Sequence, residues 1–298
     1  MSTINKVPAT AGAVWLLAGF TLLRKAPLRL GMLVVYWSLA ANVVLALAAL
    51  TGSATLVVAV QLIVTLSSPL FVGGLIWTMR EVEADRPASV QALLQPIRDG
   101  RGPALLKAML LPQLALLVLM VVLLFAMIGL QEMQRVADVY QQLQTIAAAG
   151  GQPDPALMQD LPAGRLLLWL LLVIVSAIAA AWMSFIAAPQ VLFQGADALS
   201  AVRTSLNACV HNWSAMLLFY VLAGIAFFGI MMILFFFATV LQFVLGAGFA
   251  LALFQLALNI IVLPAMAGAM LVAWRQMLPS AEGAAPPSAT SAPSHIEV

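Results

Sequence analysis

The sequence predicts an all-α polytopic membrane protein: six transmembrane helices in three hairpins, each hairpin preceded by a short cytoplasmic interfacial helix. Three observations carry this. Six apolar stretches cover most of the chain, each at least as long as the roughly 20 residues that cross a bilayer core. Hydrophobic residues make up 64% of the chain and charged residues 8%, against roughly 45–50% and about 25% in soluble domains. Basic residues also fall almost entirely on alternate connections.

The stretches run Leu30–Leu50, Ala54–Met79, Ala104–Leu130, Leu166–Pro189, Trp213–Leu241 and Phe249–Trp274. Lys107, near the start of the third, is the one Asp, Glu, Lys or Arg within them. The earlier apolar run Ala11–Leu23 is short and stops at Arg24-Lys25, with the positive charge after it and no small-residue cleavage site. That order does not fit a cleavable signal peptide. Tight turns are expected at Thr51-Gly52-Ser53 and Gly246-Ala247-Gly248.

Six spans place the connections alternately on two sides. One side carries Lys6, Arg24, Lys25, Arg29, Arg80, Arg86, Arg98, Arg101, Lys107, Arg203 and Arg275; the other carries Arg135 and Arg165. The positive-inside rule puts the first side, with both termini, in the cytoplasm. A bacterial inner membrane is the expected location. The segment Gln131–Arg165 is then the sizeable outer connection. Glu132–Ala149 is expected to extend the third span outward until Gly150-Gly151, Pro153 and Pro155 break it. Its carboxylates Glu132, Asp138, Asp154 and Asp160 lack metal-ligand spacing and read as solvated. Residues 1–278 form the membrane domain, and the Pro-, Ser- and Ala-rich tail 279–298, with His295, is expected to be a disordered cytoplasmic tail.

The cytoplasmic connections contain short helix signals at Trp15–Lys25, Val90–Arg98 and Ala198–His211. In the last, Leu199, Val202, Leu206 and Val210 recur at helical spacing. Helices of this kind suit the membrane interface. Each precedes a pair of spans, so the chain reads as a threefold internal repeat. Candidate helix kinks lie at Pro69, Pro189 and Pro264, one in each returning span. Pro69 and Gly73 match Pro264 and Gly268 as Pro-x-x-x-Gly, and Arg80 and Arg275 follow at equal distance. Proline frees a carbonyl and bends a helix, and glycine lets backbones approach.

Chemistry-bearing motifs are sparse. The chain lacks His-Glu-x-x-His, Gly-x-Ser-x-Gly and the phosphate-binding Gly-x-x-x-x-Gly-Lys-Ser/Thr. Its histidines are His211 and His295, and its single cysteine, Cys209, cannot form an internal disulfide. No catalytic residue, metal or cofactor is expected, and a net charge of +2 does not point to nucleic acid. The polar residues of the spans are uncharged. Among them Gln61, Gln255 and Asn259 form a candidate polar centre, since they occupy corresponding returning spans upstream of Pro69 and Pro264. Mixed signs in Arg80–Arg101 read as a solvated linker or a surface for a partner.

The pattern Trp15-x3-Gly19-Phe20-x3-Arg24-Lys25-x-Pro27-Leu28, followed by a span, resembles a group of bacterial inner-membrane proteins. That group is similar to the YciC-like proteins and to the membrane domain attached to some glycerophosphoryl diester phosphodiesterases. The resemblance covers about residues 11–277 and implies the same six-span rhythm. It implies no phosphodiesterase activity, because no such catalytic domain is present. The expected function is non-enzymatic: support of the envelope by organising lipid or a membrane-protein complex, with membrane lipids and another membrane protein as partners. The alternative is a permease or channel for a small or lipid-like solute.

Overall fold

The computed structural model describes residues 4–148, 151 and 161–278. It is all-α, with no strand among the described residues. Six of its helices are long and apolar enough to cross a membrane. The elements are α1 (Ala11–Lys25), α2 (Pro27–Leu50), α3 (Ala54–Glu83), α4 (Val90–Arg98), α5 (Gly102–Ile128), α6 (Leu130–Ala148), α7 (Ala163–Phe185), α8 (Ala198–His211), α9 (Trp213–Leu245) and α10 (Ala247–Met277). The tail 279–298, His295 and the connector residues Asp154 and Asp160 lie outside the described residues.

α3, α4 and α8 start where local chemistry caps them. Ser53, Ser89 and Asp197 have extended backbones and accept hydrogen bonds from Leu56, Ala92 and Leu199 N–H groups at 3.3, 3.2 and 3.1 Å. Each satisfies an N–H that the first helical turn leaves without an intrahelical partner. The boundaries of α4 and α8 match the sequence expectation.

One expectation needs correction. Within the expected extension Glu132–Ala149, of which residue 149 lies outside the described residues, Glu132–Ala148 do not continue the third span. Gly129 takes φ +80° between α5 and α6, a left-handed step that glycine adopts without steric cost, and α6 begins afresh at Leu130. The returning segment that carries Pro189 is interrupted just before that residue. α7 stops at Phe185, and a short turn (Ala187–Pro189) and a π-helical turn (Gln190–Gln194) follow. Gly195 then closes that stretch at φ +64°. Pro69 and Pro264 do lie inside helices that continue past them. Pro69 has no N–H for the Thr65 carbonyl, and the Ser68 hydroxyl donates to that oxygen at 2.8 Å. The polar backbone atom freed by proline is thus satisfied from a neighbouring side chain, as an apolar surrounding requires.

The chain divides into two compact units, one of residues up to Leu110 and from Trp182 onward, the other Leu111–Ala181. In the smaller unit the Trp169 indole donates to the Met120 carbonyl at 3.0 Å, joining the facing stretches of α5 and α7.

In the larger unit the two described ends of the chain meet. Asn5 N–H donates to the Met277 carbonyl at 2.9 Å. The core lies at this terminal end of the spans: Leu30 and Leu33 early in α2, Leu75 and Met79 late in α3, Met216 and Phe219 early in α9, Leu271 and Met277 late in α10.

Each short helix packs on the returning span that precedes it in the chain. α4 crosses α3 where a Cβ on Gly74 would lie 2.2 Å from the Leu93 carbonyl oxygen. α8 docks on the end of α7: the Ser205 hydroxyl donates to the Trp182 carbonyl at 2.7 Å and accepts from Ile186 N–H at 3.1 Å. α1 packs instead on α10. One face of α1 is packed against the protein and the other is exposed. Trp15, Leu16, Gly19 and Leu22 are buried, while Leu17, Thr21, Arg24 and Lys25 are exposed.

Candidate functional site

The face of α1 that carries Leu16 and Phe20, four residues apart, roofs an apolar pocket of about 290 Å³. Tyr220, Ala223, Gly224, Ala226, Phe227 and Ile230 of α9 form one wall, and Val262, Ala265 and Met266 of α10 the other. Positions 220, 223, 224 and 227 follow helical spacing, so they share one face of α9. The space arises because that face alternates large rings with small residues. A Cβ on Gly224 would meet no atom within 4 Å. The volume sits at the low end of the roughly 300–1,000 Å³ usual for ligand pockets.

Two closer packings hold the roof. A Cβ on Gly12 would lie 2.2 Å from the Ala215 carbonyl oxygen, and one on Gly19 2.1 Å from that of Ala265. Trp15 fills the space between them, its ring 6.3 Å from Phe185 and 6.2 Å from Phe219, centroid to centroid. Its indole N–H donates to Gln276 Oε1 at 2.8 Å. The segment before α1 is held by Asn212, which is buried. The Asn212 side-chain oxygen accepts from Val7 N–H at 2.8 Å, and its amide nitrogen donates to the Asn5 carbonyl at 2.9 Å.

Around the terminal end, aromatic and charged groups tie the returning spans together. Trp77 lies 5.4 Å from Phe193, and Phe193 lies 5.3 Å from Trp274. The Arg80 guanidinium stands 4.8 Å from the Phe193 ring centre, a cation–π distance. Arg275 pairs with Glu83, and Lys25 with Asp85 at 3.0 Å. The two arginines at matching repeat positions therefore end in different contacts.

The structure does not gather Gln61, Gln255 and Asn259 into a buried centre. All three are exposed. Gln61 donates to the Thr65 hydroxyl of its own helix at 3.4 Å. His211 is exposed as well. Among the described residues no group of three or more His, Cys, Asp or Glu could hold a metal ion. Cys209 is buried, and burial pushes its thiol up to about 12.

The pocket was not legible in the sequence. Its one signal is the spacing of small residues along α9 at Ala223, Gly224 and Ala226, and reading it requires knowing which helix covers that face. Within the pocket the Tyr220 hydroxyl is the one ionisable side-chain group. The lining can therefore hold an apolar ligand by shape and dispersion, and it presents no acid–base pair. No protein family, curated protein or solved structure matches the chain.

Proposed function

We propose that this chain is a non-enzymatic protein of the bacterial inner membrane, with both termini cytoplasmic, that supports the envelope by organising lipid. The observation that carries the reading is the apolar pocket beneath α1, lined by Leu16 and Phe20 together with α9 and α10. A lipid acyl chain matches that lining. Lipid tails are as apolar as the side chains, so transfer from the bilayer brings no hydrophobic gain. Occupancy depends on fit, and a rigid roof supplies fit. The orientation rests on eleven basic residues on the terminal side against two on the other, a bias that sets topology.

Native mass spectrometry of the detergent-purified protein tests the reading. The wild type should retain phospholipid through delipidating washes. Gly224→Leu, which fills the pocket where a side chain meets no atom, should retain markedly less. Equal retention by both proteins would refute the proposal.

A permease or channel for a small or lipid-like solute is the second reading, favoured by the exposed amides of Gln61, Gln255 and Asn259 on returning spans. Solute flux in proteoliposomes, lost on Gln61→Leu, would support it.

A further inference from the structure

A second pocket, polar and about 400 Å³, lies where α1 ends and α2 begins. Lys25, Arg29, Asp85 and Arg86 line it, over a floor of the buried Val82 and Ala88. Its charges are paired with one exception. Lys25 holds Asp85 at 3.0 Å, and Arg86 donates to Glu81 at 2.8 Å. Arg29 has no ion-pair partner among the described residues. The pocket thus carries one unbalanced positive charge, at the first turn of a membrane-spanning helix.

The geometry points to a binding site for the phosphodiester headgroup of a monoanionic lipid, with Arg29 as its principal contact and Lys25 and Arg86 flanking. The charge match is one to one. A guanidinium offers a planar fork of donors to phosphate oxygens, which an ammonium cannot reproduce. The location matches the level of lipid headgroups, where basic residues at the ends of spans reside. A free phosphate would offer the same oxygens, but it would not be held at the membrane boundary by an attached tail. The inference rests on the reading of lipid binding above and names the headgroup class that reading leaves open.

The test titrates the purified full-length protein in detergent with phosphatidylglycerol and with phosphatidylcholine, and repeats the first with excess inorganic phosphate. The wild type should prefer phosphatidylglycerol, and phosphate should not displace it. Arg29→Gln should lower phosphatidylglycerol affinity about tenfold, to the level of phosphatidylcholine, whereas Arg29→Lys should retain part of the preference. Thermal unfolding checks that both variants are folded. Unchanged preference in Arg29→Gln would overturn the proposal. Displacement by inorganic phosphate would also overturn it, by making the ligand a free anion. Gly224→Leu separates the two readings: it should weaken both lipids alike. If it has no effect while Arg29→Gln abolishes the preference, the acyl pocket fails and the headgroup site stands.

Discussion

Gly19 of α1 and Gly268 of α10 meet with no side chain between them. A Cβ on Gly268 would lie 3.0 Å from the Gly19 Cα, and one on Gly19 would lie 3.1 Å from the Ala269 nitrogen. α1 and α10 lie at opposite ends of the described sequence, and this contact joins them directly. It also sets the height of α1 over the apolar pocket.

Substitution at this contact should be costly in a graded way. Gly19→Ala drives a methyl against backbone, where overpacking typically costs about 1–3 kcal/mol. Gly73→Ala meets the end of the Leu105 side chain at 2.2 Å, which can rotate away, so its cost should be smaller. Gly229→Ala meets nothing within 4 Å and should be neutral or stabilise by up to about 1 kcal/mol, because glycine is a poor helix former. Thermal unfolding in detergent should rank the variants Gly19→Ala, Gly73→Ala, Gly229→Ala from least to most stable. A Gly229→Ala variant as unstable as Gly19→Ala would show that close packing is not the cause.

Much of this fold is legible in the sequence because its strongest signals are local. Span length, the bounds of Val90–Arg98 and the apolar spacing of Ala198–His211 each depend on a few neighbouring residues. The Pro-x-x-x-Gly match likewise marks Gly268 before any partner is known. What escapes is tertiary. Trp15 reads as an interfacial aromatic until α10 and α9 are placed around it. Asn212 reads as a boundary residue, yet its side chain holds Val7 and Asn5. Gln61, Gln255 and Asn259 share a position in the repeat without sharing a buried face. The break at Gly129 hides because one glycine in an apolar run is compatible with a continuous span.

Asn212 should be essential for anchoring the N-terminal segment. Asn212→Leu leaves the part-buried Val7 N–H and the Asn5 carbonyl, on an exposed residue, without their partner, and the cost should fall below the roughly 1–3 kcal/mol of a fully buried stranded group. Hydrogen exchange should show faster exchange at Val7 in this variant, with the outer half of α9 unchanged. Protection at Val7 equal to wild type would remove Asn212 from this role.

The half-buried pair Glu83–Arg275 should matter more than the exposed pair Lys25–Asp85. Glu83→Gln removes a charged acceptor from a partly desolvated arginine, where such hydrogen bonds contribute about 1.5–3 kcal/mol. Asp85→Asn should cost at most about 1 kcal/mol, as surface pairs do. Unfolding midpoints in low and high salt check this: salt should erase the second effect and leave most of the first.

Cys209 should be inert in the folded protein. With its thiol pushed up to about 12 by burial, the thiolate that reacts is scarce from pH 7 to 9. The unfolded thiol ionises near its ordinary value of 9.0, so the unfolded state releases its proton first. This contribution to stability is complete below pH 9 and fades as pH rises toward 12. Maleimide should label the native protein little and the SDS-unfolded protein fully. Engineered cysteines can then report topology against a silent background. One at Gly52 should label only from outside the membrane and one at Arg98 only from the cytoplasm; the reverse pattern would invert the orientation.

The most direct measurement of the central claim places a photoreactive phenylalanine at Phe20, in the roof of the apolar pocket, in cells whose phospholipids carry clickable acyl chains. Illumination should attach lipid at Phe20, and adding Gly224→Leu should abolish that product. The same probe at Phe236, which is exposed and outside the pocket, should attach lipid with or without Gly224→Leu. Undiminished crosslinking at Phe20 in the filled variant would contradict an acyl chain bound beneath α1.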